Sequence, residues 1–344
     1  MRILLIQTAF IGDCVLTTPL IRRASEIFTE EAVIVLLTTP KGAQVFDGNP
    51  HIDEIIQYDK HNESVGLSTF FGLANSLVDR RFDIAILPHR SFRSGMLSML
   101  ARIPKRVGFA KSDGSIFYTK RIERPVDKPE PERMLELLKQ SPEDKIEPCP
   151  TEIFPGEQRE ATAIKILRDL GIDEKTKYAT IAPGSVWGTK RYPVDLYGEV
   201  IKLMLSEGIV ESVVLIGGPE DAGLCSIISD DVGKGTFSAA GKCDILTSAA
   251  IISKSRIFIG NDSGPGHLAA AVKTPVVSIF GPTVPRFGFV PYGEKVVVIE
   301  PPFELSCRPC SPHGKMECPR GDLACMVGIF PERVVQAVSR LLEG

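Results

Sequence analysis

The chain has 344 residues, of which 43% are hydrophobic and 24% charged, with a formal net charge of −3 and a pI near 6.0. That length exceeds the ~100–200 residues of one domain, so two domains are expected, and the near-neutral charge excludes a globally basic nucleic-acid binder. No run reaches the ~18 uncharged apolar residues of a membrane-spanning helix, and the apolar run at 3–6 is too short for a secretory signal, so a soluble cytoplasmic protein is expected. In chain order, residues 2–6, 33–37 and 83–87 read as strands rich in Ile, Leu and Val, with helices over 16–27, 65–78 and 93–102. Strands alternating with helices imply parallel pairing through right-handed crossovers. The strands are nearly continuous apolar runs, as expected when both faces of a sheet are covered.

Between residues 141 and 156 the prolines at 142, 148, 150 and 155 punctuate a charged stretch that reads as a linker. The pattern then restarts: helix 157–170, strand 178–182, helix 194–205, strand 213–216, helices 220–228 and 244–252, strand 257–260, helix 266–272 and strand 276–280. Pro331 can start a last helix running to about residue 342. The expected domains are residues 1–150 and 151–330, followed by a C-terminal helix over 331–344. Both are α/β, with doubly wound parallel sheets, and in such sheets ligands bind beyond the carboxyl ends of the strands.

Three loops lie at such ends. Asn261-Asp262-Ser263-Gly264-Pro265-Gly266-His267 leads from an apolar strand into an Ala-rich helix, which makes a backbone site for an anion, best suited to phosphate. Residues 183–193 form a second loop and Ile11-Gly12-Asp13 a third. Together they suggest one cleft closing on a phosphorylated ligand. No Gly-x-Gly-x-x-Gly follows the first strand, which argues against a dehydrogenase. Of eight cysteines, Cys307, Cys310, Cys318 and Cys325 cluster in a Pro- and Gly-rich tail. Four thiolates could hold a structural zinc; loop-packing thiols or a disulfide are the other readings.

The chain resembles the ADP-heptose:lipopolysaccharide heptosyltransferases, glycosyltransferase family 9. The resemblance is carried by Arg2-Ile3-Leu4-Leu5-Ile6 with Ile11-Gly12-Asp13, by Ser91-Phe92-Arg93-Ser94 and by Ile103-Pro104-Lys105-Arg106-Val107-Gly108. It continues through Trp187-Gly188-Thr189-Lys190-Arg191-Tyr192-Pro193, the stretch from Asn261 to His267, Gly281-Pro282-Thr283 and the Cys-rich tail. Trp187 to Arg191 looks most like the heptosyltransferase II branch. The resemblance implies a GT-B fold of two Rossmann-like domains facing across a cleft, with acceptor on the N-terminal domain and sugar nucleotide on the C-terminal one. It implies inverting, metal-independent transfer of heptose from ADP-heptose to the inner core of lipopolysaccharide (Kdo and heptose on lipid A), with peripheral contact at the inner membrane face. Other readings are a GT-B transferase using another nucleotide sugar and a non-catalytic nucleotide-sugar-binding protein.

The resemblance places the base at Asp13, where spacing alone fits a base or a helix cap equally. Lys190 would meet the leaving diphosphate, with Ser185 and Thr189 as hydroxyl donors, although a Lys-Arg pair alone reads as a solvated loop. Ser263 and Gly264 would face the phosphates, Asp262 the sugar hydroxyls, and His267 a phosphate or hydroxyl; the bland reading is helix capping and packing. Glu220, beyond a strand end, would bind ribose, or simply favour a helix start. Arg90 and Arg93 would bind acceptor carboxylates and phosphates, in a locally basic region that also holds Lys105, Arg106 and Lys111.

Overall fold

The computed structural model describes residues 1–28, 31–59 and 67–343 and divides into two compact units, Met1–Phe154 and Pro155–Gly344. The first runs β1 (Arg2–Gln7), α1 (Ile11–Ile27), β2 (Val33–Thr38), α2 (Pro40–Phe46), β3 (Glu54–Gln57), α3 (Leu67–Asp79), β4 (Ile84–Leu87), α4 (Phe92–Leu100), β5 (Lys105–Phe109), β6 (Lys120–Ile122) and α5 (Glu130–Leu135). Its six strands are all parallel, in the order β3-β2-β1-β4-β5-β6. Ile3, Leu4, Leu5 and Ile6 of β1 have no exposed surface, because helices cover both faces of this central strand.

Helix α1 begins five residues before the sequence pattern suggests, so Gly12 and Asp13 fall in its first turn. Pro19 lies inside this helix and cannot bond the Val15 carbonyl; the Thr18 hydroxyl donates to that carbonyl instead, at 2.8 Å. The helix expected over 65–78 is α3, with its first two residues, 65 and 66, outside the described residues. Strands β3, β5 and β6 do not stand out in the sequence: each is short and carries charged residues, as edge strands such as β3 and β6 commonly do. The stretch that reads as a linker is bonded along α1. Arg23 donates to the Glu147 and Pro148 carbonyls, and the Glu152 N–H donates to the Thr18 hydroxyl at 3.0 Å.

The second unit runs α6 (Gly156–Asp169), β7 (Tyr178–Ala182), α7 (Val194–Ser206), β8 (Ser212–Leu215), α8 (Ala222–Val232), β9 (Thr236–Ser238), α9 (Ile245–Ser253), β10 (Ile257–Asn261), α10 (Gly264–Ala271), β11 (Val276–Ile279), β12 (Val296–Ile299), α11 (Ala324–Val327) and α12 (Pro331–Glu343). The helix expected at 220 is a 3-10 turn, Pro219–Asp221, followed by α8. Val334 and Val338 of α12 join Tyr197 and Val200 of α7 in one buried apolar cluster, so the last helix belongs to this unit's core. The strand order, β12-β11-β10-β7-β8-β9, repeats the first unit's winding: in each, the first and fourth strands lie side by side and the chain winds outward from them. The crevice between those two strands' carboxyl ends is where an open α/β sheet binds ligands. In the first unit it lies between β1 and β4, and in the second between β7 and β10.

Candidate active site

In the second unit the loops leaving β7 and β10 are joined by one side chain. Asn261, the last residue of β10, is fully buried. Its Oδ1 accepts from the Tyr192 N–H and the Tyr197 hydroxyl, both at 3.0 Å. Its Nδ2 donates to the carbonyls of Pro183 at 2.8 Å and Gly184 at 3.3 Å. The amide thus spends both lone pairs and both hydrogens on the loop that carries Lys190. Sequence reasoning gave Asn261 no task of its own; its signal was a polar amide ending an otherwise apolar strand.

The next residue faces Lys190. The Lys190 Nζ lies 2.6 Å from Asp262 Oδ2 and donates to the Asp262 carbonyl at 3.2 Å. Thr283, from the loop after β11, donates to the same Oδ2 at 2.6 Å. The pair is nearly withdrawn from water, with 12% and 8% of the side chains exposed. An ammonium has three donors, so among the described residues one N–H of Lys190 is left without a partner. Ser263 is the N-cap of α10 but makes no side-chain cap, and Pro265 follows in the first turn. The helix therefore starts at Gly264 without a capping side chain, beside a cation.

His267, on α10, is buried, and its Nδ1 has no hydrogen-bond partner among the described residues. Burial pushes its pKa down to about 4, against the pull of Asp262, while Lys190 adds to the drop. The ring is therefore neutral near pH 7.

Thr189 is buried beneath the Cys-rich segment. Its hydroxyl donates to the Lys315 carbonyl and accepts from the Lys315 N–H, both at 2.8 Å. That hydroxyl braces the loop and already holds both kinds of partner. A Cβ at Gly188 would run into the Met316 carbonyl, so only glycine lets the two segments approach this closely. Arg308 donates to the Gly281 carbonyl at 2.5 Å and the Thr283 carbonyl at 2.8 Å, tying the same segment to the loop that holds Asp262.

Ser185 is half-buried; its hydroxyl accepts from the Trp187 N–H at 3.3 Å. Glu220 is exposed and its carboxylate curls over Gly218. Its neighbour Asp221 is the inward one. Burial holds the Asp221 carboxyl above the usual range despite the Gly218 N–H, which donates to it at 3.1 Å, and the carboxylate occupies the space a side chain at Gly184 would need.

Among the described residues no cysteine forms a disulfide. Burial, followed by the nearness of Cys310, Cys318 and Cys307, pushes the Cys325 thiol up to about 11. Among the described residues no group of three or more His, Cys, Asp or Glu is arranged to hold a metal ion.

In the first unit Asp13 stands half-buried in the first turn of α1, three residues beyond the N-cap Phe10, so it is not the cap. A carboxylate there is favoured by the helix dipole. Arg90 and Arg93 flank the N-terminus of α4, beyond β4. Arg90 donates to the Lys111 carbonyl at 3.1 Å. Arg93 donates to the Tyr58 hydroxyl at 2.5 Å, and its guanidinium lies over the rings of Tyr58 and Phe70. Asp13 and Arg90 thus follow the two strands that border this unit's crevice.

Two doubly wound α/β units, each with its candidate residues at the strand-order reversal, are those of a GT-B glycosyltransferase. The family model described as "Glycosyltransferase family 9 (heptosyltransferase)" matches residues 70–322. The chain belongs to that family. It is 24% identical to lipopolysaccharide heptosyltransferase 2 of Salmonella typhimurium, over 100% of this chain and 99% of that protein. Among solved structures, the family 9 glycosyl transferase from Veillonella parvula superimposes with a TM-score of 0.88 at 23% identity, covering 99% of this chain and 97% of the other. The E. coli ADP-heptose lps heptosyltransferase II does so with a TM-score of 0.79 at 21% identity, covering 100% and 99%. These likenesses show the shared fold, and the relative's name agrees with the heptosyltransferase II branch that Trp187 to Arg191 resembles.

Proposed function

We propose that the protein transfers heptose from ADP-heptose to the inner core of lipopolysaccharide, inverting the anomeric centre, with no metal ion in the chemical step. The observation that carries this reading is the Lys190–Asp262 pair at the uncapped start of α10. A leaving nucleoside diphosphate develops negative charge, and an ammonium with a spare donor next to a helix N-terminus meets that charge without a cation cofactor. The second unit binds the sugar nucleotide. Ser263, Gly264 and Ser185 face the phosphates, Glu220 the ribose, Asp262 a sugar hydroxyl, and neutral His267 a phosphate or hydroxyl. Thr189 acts here chiefly by holding the loop.

The first unit binds the acceptor, with Arg90 and Arg93 toward its carboxylates and phosphates. The acceptor oxygen attacks the anomeric carbon and its proton passes to Asp13. The bond from that carbon to the diphosphate oxygen breaks, and its electron pair leaves with ADP. One displacement with one base inverts the centre. The thiols of the tail take no part in this step; a zinc held by Cys307, Cys310, Cys318 and Cys325 would brace the segment that bonds Thr189. The named relative acts on lipopolysaccharide, which supports a cytoplasmic enzyme working at the inner membrane face.

The test incubates the protein with ADP-heptose, other sugar nucleotides and truncated lipopolysaccharide, with and without EDTA, and reads products by mass spectrometry. Heptose transfer that survives EDTA is expected. Transfer of a different sugar would overturn the donor, and activity restored only by magnesium or manganese would overturn the metal-free step.

A further inference from the structure

We propose that the start of α4 and the loop between β5 and β6 form a docking surface for an anionic lipid bilayer. The inference deepens the reading above, in which the acceptor is carried by a lipid. The two segments are one surface. The Phe92 ring packs edge-on against Phe117 with centroids 5.1 Å apart. A Cβ at Gly95 would meet the Gly114 carbonyl at 2.8 Å, and one at Gly114 would meet the Ser91 carbonyl at 2.7 Å, so nothing larger than glycine separates them.

This surface carries bulky apolar groups in water: Ile116 is 68% exposed and Phe92 46%. Around them stand cations with no carboxylate partner among the described residues. Arg121 donates to the Ser115 carbonyl at 2.9 Å, Arg106 to the Phe117 carbonyl at 2.7 Å and Arg90 to the Lys111 carbonyl. These bonds hold the side chains in place and leave their charge uncompensated. Residues 90–124 hold nine Lys and Arg against two carboxylates, Asp113 and Glu123, in a chain whose net charge is −3.

A free sugar phosphate would use the cations but would gain nothing from Ile116 or Phe92. A bilayer with anionic headgroups uses both, the apolar side chains entering the interface and the cations meeting the phosphates. Arg93 follows Phe92 directly, so docking here brings the region read as acceptor-binding to the headgroup layer.

The experiment is co-sedimentation of the full chain with phosphatidylglycerol–phosphatidylethanolamine vesicles and with phosphatidylcholine vesicles, without donor or acceptor. Binding to the anionic vesicles alone is expected, weakened by high salt. Lys111→Gln and Arg121→Gln should each weaken it about fivefold, and Ile116→Ser about tenfold. Lys175→Gln, an exposed change in the second unit, should bind as the native chain does. All of these positions are exposed, and circular dichroism checks that each variant folds. For Ile116→Ser, transfer to a deacylated, water-soluble acceptor should keep its native rate, whereas transfer to acceptor in vesicles should fall. Equal binding to both vesicle types, or unchanged binding after Lys111→Gln and Arg121→Gln together, would overturn the proposal. Failure of heptose transfer with every acceptor would instead strike the functional reading and leave the vesicle result standing.

Discussion

The two units share a winding order but treat their crevices differently. In the second, the loops after β7, β10 and β11 are bonded to one another through Asn261 and through Lys190, Asp262 and Thr283, and the β7 loop is bonded to the segment after β12 through Thr189 and Lys315. In the first, Arg90 is bonded to a loop carbonyl and Arg93 lies on an aromatic shelf, and both remain exposed. The difference matches the two tasks proposed for the units. A small, highly charged leaving group is best met by donors fixed in advance, since reorganising them during the reaction would cost free energy. A large acceptor displayed on a lipid calls for accessible cations.

The sharpest break between the units is expected at Asp13. Asp13→Asn should lower turnover by about 10²–10⁴ while leaving ADP-heptose affinity within a few-fold, because in the proposed function the donor is held by the other unit. Wild-type-like turnover in the purified variant would remove Asp13 from the base role.

Asn261→Ala should act the opposite way, on the fold of the second unit. It strands the buried Tyr192 N–H, the Tyr197 hydroxyl and two carbonyls, at a cost of about 3 kcal/mol. Trp187 is the chain's single tryptophan and lies in the affected loop, so its fluorescence during urea unfolding reports on that unit. A loss below about 1 kcal/mol would mean that the two loops hold without the amide.

His267 sharpens the comparison through pH. Its pKa falls from 6.5 to about 4 on folding. The folded second unit therefore binds fewer protons than the unfolded chain between those values. The contribution is fully present above pH 6.5 and is lost as pH falls toward 4, by up to about 3 kcal/mol. His267→Gln should flatten this part of the stability profile, read by Trp187 fluorescence from pH 7 to 4. An identical pH slope in the variant would show that the ring is not held neutral.

The smallest of these effects belongs to Lys190. Lys190→Ala should cost roughly 1.5–3 kcal/mol of ADP binding, about 10- to 150-fold in affinity, measured by calorimetry. It should leave vesicle binding by the first unit unchanged. Unperturbed ADP affinity would return Lys190 to the role of a partner for Asp262 alone.

The chain pattern by itself determined two α/β units, most of the long elements and the strand-end loops that carry the candidate residues, because buried parallel strands must be apolar runs and phosphate loops must be polar and glycine-rich. The start of α1 is not legible because Gly12 and Asp13 read as loop residues, whereas the Cys14 N–H donates to the Phe10 carbonyl at 3.0 Å and so closes the first turn around them. Tertiary structure alone decided that Asn261 joins the β7 and β10 loops, that Thr189 is occupied by Lys315, that Asp221 rather than Glu220 points inward, and that Phe92 and Ile116 share a surface with unpaired cations. Each of these is a contact between residues distant in sequence or a choice between adjacent side chains. Periodicity and local propensity carry no information about which of two neighbouring carboxylates is desolvated or which distant carbonyl a hydroxyl will find.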